Sequence, residues 1–129
     1  MTEHELADVT GFQTLLTQQL IDYKHQVLAI LNNAQQSSHQ LAASQLLKLS
    51  NSDFIEAVVR LDMPQISEKV RCIKRIDAAL CQIEFGLYGV CSDCEEAIEP
   101  ELLSSDPTEQ RCLSCKTKFE KRKKGFIAL

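Results

Sequence analysis

Cys91 and Cys94, then Cys112 and Cys115, set out the pattern C-x2-C-x17-C-x2-C in the last third of a 129-residue chain. Each CxxC pair can close a tight knuckle that aims two thiolates at one ion, and the spacing between the pairs suits a tetrahedral zinc site. Four thiolates leave no coordination position for water, so such a zinc is structural rather than catalytic. It also fixes a fold in a segment too short to build its own core, because metal-binding free energy becomes folding free energy. The competing reading of the same residues is a pair of disulfides or unrelated buried thiols. The other two cysteines, Cys72 and Cys81, sit in partly apolar helical sequence and read as small core residues.

Other reactive side chains are sparse. His4, His25 and His39 all fall in the N-terminal half, with no nucleophile or acid–base constellation around them. His25 and His39 are nearly four helical turns apart, too far to share a ligand. The expectation is a protein that is not an enzyme. The first residues, MTEHELADVTGF, are acidic and show neither the basic nor the apolar region of a signal peptide. No apolar run approaches the ~18 residues of a membrane span. Six cysteines without an export signal suit a reducing cytoplasm, where CxxC pairs bind metal.

The net charge of −4 conceals an asymmetry. Residues 90–110 carry seven acids (Asp93, Glu95, Glu96, Glu99, Glu101, Asp106, Glu109) and no Lys or Arg, whereas 111–124 carry seven bases against Glu120. An acid-rich loop sits poorly beside a phosphate backbone, so sequence-specific DNA binding is not expected.

The elements that position the cysteines read as helices. Leu16, Leu20, Tyr23, Val27, Ile30 and Ala34 form a narrow coiled-coil stripe, and neither Gly nor Pro occurs between Phe12 and Met63. The stripe fades through Gln35–Gln40, a soft helical segment or a break, and partly recovers at Leu41, Leu46, Leu47 and Leu49; the expectation is one continuous helix. A second stripe runs through Ile66, Val70, Ile73, Ile76, Leu80 and Ile83, with Gly86 placed to end the helix and Gly89 to turn into the first knuckle. Between the stripes, Ser50 followed by Asp53 resembles an N-cap with an acid at N3. This suggests a short helix from about Asp53 to Leu61, and Asp62 or Met63 would cap the helix that Pro64 opens. A single helix kinked at Pro64 is the alternative. Lys116–Lys124 reads as a basic helix ending at Gly125, with the terminal FIAL packed back or frayed. The fold class is therefore mainly α. An antiparallel helical hairpin occupies 1–86 with its tip near 50–64, and a four-Cys zinc module with a short basic terminal helix occupies 87–129.

The sequence FGLYGVCSDCEEAIEPELL, followed by DPTEQRCLSCKTKFEK, resembles the DksA/TraR (DnaK suppressor) family of bacterial transcription factors, from about Ser67 to Lys121. The resemblance implies a protein that binds RNA polymerase directly. It would insert its hairpin into the secondary channel, place the tip near the active site, and often act together with the alarmone ppGpp in the stringent response. The tip acids on offer are Asp53, Glu56 and Asp62, with Ala57 beside them. Well-known members carry two Asp three residues apart with an Ala two further on; here the second acid is Glu56 and the Ala comes one place early. The family's basic ppGpp contacts fall on Arg75 and Lys116, and a third would land near Glu68. From the residues alone, two further functions compete: a DNA-binding zinc finger supported by the basic run 116–124, and a thiol switch in which oxidation ejects zinc.

Overall fold

The computed structural model describes the backbone of residues 3–33 and 37–128 and the side chains of 9–33 and 40–123. Six helices follow in order: α1 Glu3–Asn32, α2 Ser37–Leu46, α3 Asn51–Leu61, α4 Pro64–Glu84, α5 Pro100–Ser105 and α6 Leu113–Ala128. Among the described residues there is no strand, and an antiparallel bridge joins Val90 to Ala97. No helix is long and apolar enough to cross a membrane among these residues. The chain divides into two compact units, residues 14–78 and residues 1–13 with 79–129.

Residues 14–78 are built on two antiparallel arms. Lys69 of α4 donates to Gln26 Oε1 of α1 at 2.8 Å, and Tyr23 of α1 stands beside Cys72 of α4, which raises the Tyr23 pKa. Advancing along α1 thus means retreating along α4. Of the expected stripes, Leu16, Leu20 and Val27 of α1 and Ile66, Val70, Ile73 and Ile76 of α4 are buried; Tyr23, Ile30, Leu80 and Ile83 are half-buried, Ala34 lies outside the described residues, and Leu31, off the expected stripe, is fully buried. Burying one such aliphatic side chain is worth roughly 1.5–3 kcal/mol, so these positions dominate the unit's stability.

The first arm is shorter than expected. α1 ends at Asn32 with Asn33 in a turn, and α2 begins afresh at Ser37, so the expected continuous helix is broken. Asn and Ser are poor helix formers, and Asn32 and Asn33 stand before the break with Ser37 and Ser38 after it. The chain then doubles back. Leu46 lies with Ile21 and His25 around a small cavity of about 140 Å³. Of the recovered leucines only Leu46 is buried; Leu41 and Leu47 are 65% exposed.

α3 begins where the sequence places it. The Ser50 side chain caps it by accepting from Asp53 N at 3.3 Å. Its Phe54 and Val58 are buried, and Lys24 of α1 reaches Asn51 Oδ1 while its ammonium stands 5.2 Å from the Phe54 ring centroid. That enclosure lowers the Lys24 pKa by desolvation. α3 therefore packs alongside the arms. Of the two expected caps of α4, Asp62 instead ends α3 in the left-handed region at φ 47°, its N–H returning to Val59 O, while Met63 directly precedes α4 and its carbonyl accepts from Ile66 N at 3.1 Å. Pro64 occupies the first turn of α4, where its missing N–H costs nothing.

In the second unit, α4 closes with a Schellman motif. Leu87 N bonds Gln82 O at 2.8 Å and Gly86 N bonds Ile83 O at 3.1 Å, which requires the positive φ of Gly86, +71°. Cys72 and Cys81 are not core residues: Cys72 is half-buried and Cys81 is exposed, because both fall beside the buried stripe of α4 rather than on it. α6 does not stop at Gly125 but continues to Ala128; Gly costs a helix only about 1 kcal/mol. The side chains of the final FIAL lie outside the described residues.

Candidate metal centre

Each knuckle is shaped by backbone hydrogen bonds. In the first, Cys91 N donates to Glu96 O at 2.7 Å and Glu95 N returns to Cys91 O at 3.0 Å. Glu95 takes a left-handed φ of 65° to close the turn. Ile98 N bonds Gly89 O at 2.8 Å, and Ser92 N bonds Gln110 O at 2.8 Å, tying this knuckle to the approach to the second. Cys112 and Cys115 open α6, where Lys116 N bonds Cys112 O at 2.8 Å.

The acid-rich loop is largely consumed in holding these turns. Asp106 Oδ1 accepts from Thr108 N at 3.0 Å and from its hydroxyl at 2.6 Å. Glu99 caps α6 across the loop, accepting from Leu113 N at 2.7 Å, and a carboxylate there suits the helix dipole. Arg111 pairs with Asp93 at 2.8 Å and stacks 4.0 Å from the Phe119 ring centroid. Buried Glu109 accepts from Gln110 N at 3.2 Å, Arg111 N at 3.4 Å and Lys116 Nζ at 2.9 Å. The hydrogen bond and charge of Glu109 raise the Lys116 pKa. Buried Tyr88 donates to Pro107 O at 2.7 Å and packs against Phe12, with ring centroids 5.5 Å apart. These tethers were invisible in the sequence, where the acids read as a block of charge.

The result is four sulfur atoms within 4.8 Å of one another, from Cys91, Cys94, Cys112 and Cys115. Cys94 and Cys112 Sγ are 3.7 Å apart; a tetrahedron with Zn–S of ~2.3 Å has edges of about 3.8 Å. Burial would raise the Cys91 pKa, but backbone donors from Cys112, Cys94 and Asp93 outweigh it and bring it to about 6. Hydrogen bonds to Cys112 and Cys94 push Cys115 the other way, to about 12. Thiols this close cannot all ionise without a compensating dication. The donor set fits one zinc held by Cys91, Cys94, Cys112 and Cys115, whose chemistry is to clamp the two knuckles together.

Of the other expected site residues, Lys116 follows the ligand Cys115, and the rest belong to residues 14–78. Asp53 and Glu56 are exposed on α3, Ala57 is half-buried there, and Asp62 is exposed in the turn before α4. Arg75 is exposed on α4, and Lys116 is engaged by Glu109 at 2.9 Å.

This is the architecture of a helical protein carrying a structural four-cysteine zinc finger. Residues 86–121 match the prokaryotic dksA/traR C4-type zinc finger. The whole chain has the fold of DksA proteins. It resembles the structure of the RNA polymerase binding protein and transcriptional regulator Dks from Chlamydia trachomatis, with a TM-score of 0.53 and 20% identity over 94% of this chain and 93% of that one. It also resembles the transcription factor DksA2 from Pseudomonas aeruginosa, with a TM-score of 0.60 and 22% identity over 92% of this chain and 87% of that one. No curated protein sequence matches the chain.

Proposed function

We propose that this protein is a cytoplasmic, non-enzymatic transcription regulator that binds bacterial RNA polymerase directly, through the secondary channel. The observation that carries the reading is the combination of a dksA/traR zinc finger at 86–121 with likeness, over nearly the whole chain, to a protein described as an RNA polymerase binding protein. In this reading the helical hairpin enters the channel, and Asp53, Glu56, Ala57 and Asp62 form the surface that acts near the catalytic magnesium. The three carboxylates are exposed, and acids are steered toward an electropositive interior.

A contribution from ppGpp would use Arg75 and Lys116, whose guanidinium and ammonium suit phosphate oxygens. Lys116 would first have to exchange its Glu109 partner. DNA enters this function only through the polymerase. The test is the double variant Asp53→Asn with Glu56→Gln in a reconstituted transcription assay: it should bind polymerase with unchanged affinity and lose the effect on open-complex stability. Full activity would remove these acids from the mechanism.

A further inference from the structure

A zinc ion bound by four thiolates carries two net negative charges, and that charge needs a counterpart. An open cleft of about 550 Å³ beside the cysteine cluster is lined by Cys94, Cys115, Asp93, Lys118, Lys121 and Arg122. Asp93 is already paired with Arg111, leaving three cations facing two of the sulfur ligands. Helical spacing explains the arrangement. Lys118 and Arg122 stand three and seven residues beyond Cys115, on the same face of α6, and Lys121 flanks them. None of the three is ion-paired among the described residues.

We propose that Lys118, Lys121 and Arg122 are the electrostatic partners of the zinc–thiolate centre, lowering the nucleophilicity of Cys94 and Cys115 on its open side. The basic run of α6 is then part of the metal site rather than a surface for nucleic acid. Cys94 is an exposed residue, so its sulfur is the ligand most open to electrophiles, and a metal-bound thiolate keeps enough nucleophilic character to react. Positive charge nearby holds electron density on the sulfur and disfavours its transfer to an incoming carbon. Lys116 and Lys123 lie on other faces; the first is bound to Glu109, and neither lines the cleft.

The experiment measures alkylation of the zinc-loaded full chain by iodoacetamide, a neutral electrophile, followed by mass spectrometry and by zinc release to a chromogenic chelator. At a separation of ~8 Å in a largely aqueous surrounding, each cation alters a thiolate's reactivity by about twofold. Three such contributions multiply, so the triple variant Lys118→Gln, Lys121→Gln, Arg122→Gln should react about eightfold faster at low salt. The charge-retaining variant Lys118→Arg, Lys121→Arg, Arg122→Lys should keep the original rate, and so should Lys123→Gln. All three positions are exposed on a helix, and Lys118→Gln alone provides a milder variant with the same direction of change. A triple variant less than twofold faster, an equal acceleration in the charge-retaining variant, or an equal acceleration in Lys123→Gln would each overturn the proposal. None of these readouts involves polymerase, so the result stands apart from the proposed function.

Discussion

Replacing Tyr88 by Phe tests whether the approach to the zinc module depends on one buried hydroxyl. The Tyr88 side chain is 7% exposed and donates to Pro107 O at 2.7 Å. Removing the hydroxyl leaves a buried carbonyl without that donor, at a cost of about 1–2 kcal/mol at pH 8. A second consequence depends on pH. Burial first, and the charge of Asp106 second, push the Tyr88 pKa up to about 12 from its ordinary 10.0. A group whose folded pKa is raised contributes stability that is fully present below pH 10 and is lost as pH climbs toward 12. At pH 11 the unfolded phenol is mostly ionised while the folded one is mostly not, which costs the parent protein about 1.4 kcal/mol. The Phe variant has no such loss. Tyr23 and every other titrating group are common to both proteins and cancel. Urea unfolding of the zinc-loaded proteins at both pH values should thus show the variant less stable at pH 8, with the gap closed by about 1.4 kcal/mol at pH 11. A gap that is the same at both pH values would refute the account of Tyr88 as a buried, hydrogen-bonded phenol.

Three other perturbations have outcomes fixed by the geometry. Phe54→Ala removes a ring that is 1% exposed and lies under the Lys24 ammonium; it should cost about 3–5 kcal/mol in urea unfolding, and a loss below about 1 kcal/mol would mean α3 does not pack as described. Asp62→Gly relieves a left-handed backbone and should stabilise the protein by a few tenths to about 1 kcal/mol, read as a higher melting temperature. Glu109→Ala removes the acceptor for two backbone amides and Lys116. It should weaken zinc binding by roughly tenfold to a hundredfold in competition with a chelator, since bonds to a charged acceptor are worth about 1.5–3 kcal/mol.

The parts of this fold that follow from short-range rules were legible in the sequence. The CxxC pairs fixed four ligands because spacing alone determines how a knuckle presents its thiolates. Gly86 announced its helix end because only a residue tolerating positive φ completes a Schellman motif, and Ser50 announced a helix start through its acceptor oxygen. The path between Asn32 and Asn51 was not legible. The absence of Gly and Pro from Phe12 to Met63 argued for continuity, whereas what decides a helix there is whether an apolar face finds something to cover it. The pattern Phe54, Val58, Leu61 carried that information and marks α3 as a packed helix. Charge was misleading for a related reason. The acids from Asp93 to Glu109 read as a block that would repel phosphate, yet Asp93, Glu99, Asp106 and Glu109 are spent on local hydrogen bonds and ion pairs. Pairing depends on the folded positions of both partners, and sequence gives only one coordinate of each.

Binding of purified, zinc-loaded protein to bacterial core RNA polymerase, with a Gre-type cleavage factor as competitor, tests the proposed function most directly. Direct binding that the cleavage factor displaces is the expected result, because both would occupy the secondary channel. Binding that the competitor leaves untouched would contradict placement in that channel, and no binding at physiological salt would contradict polymerase as the partner.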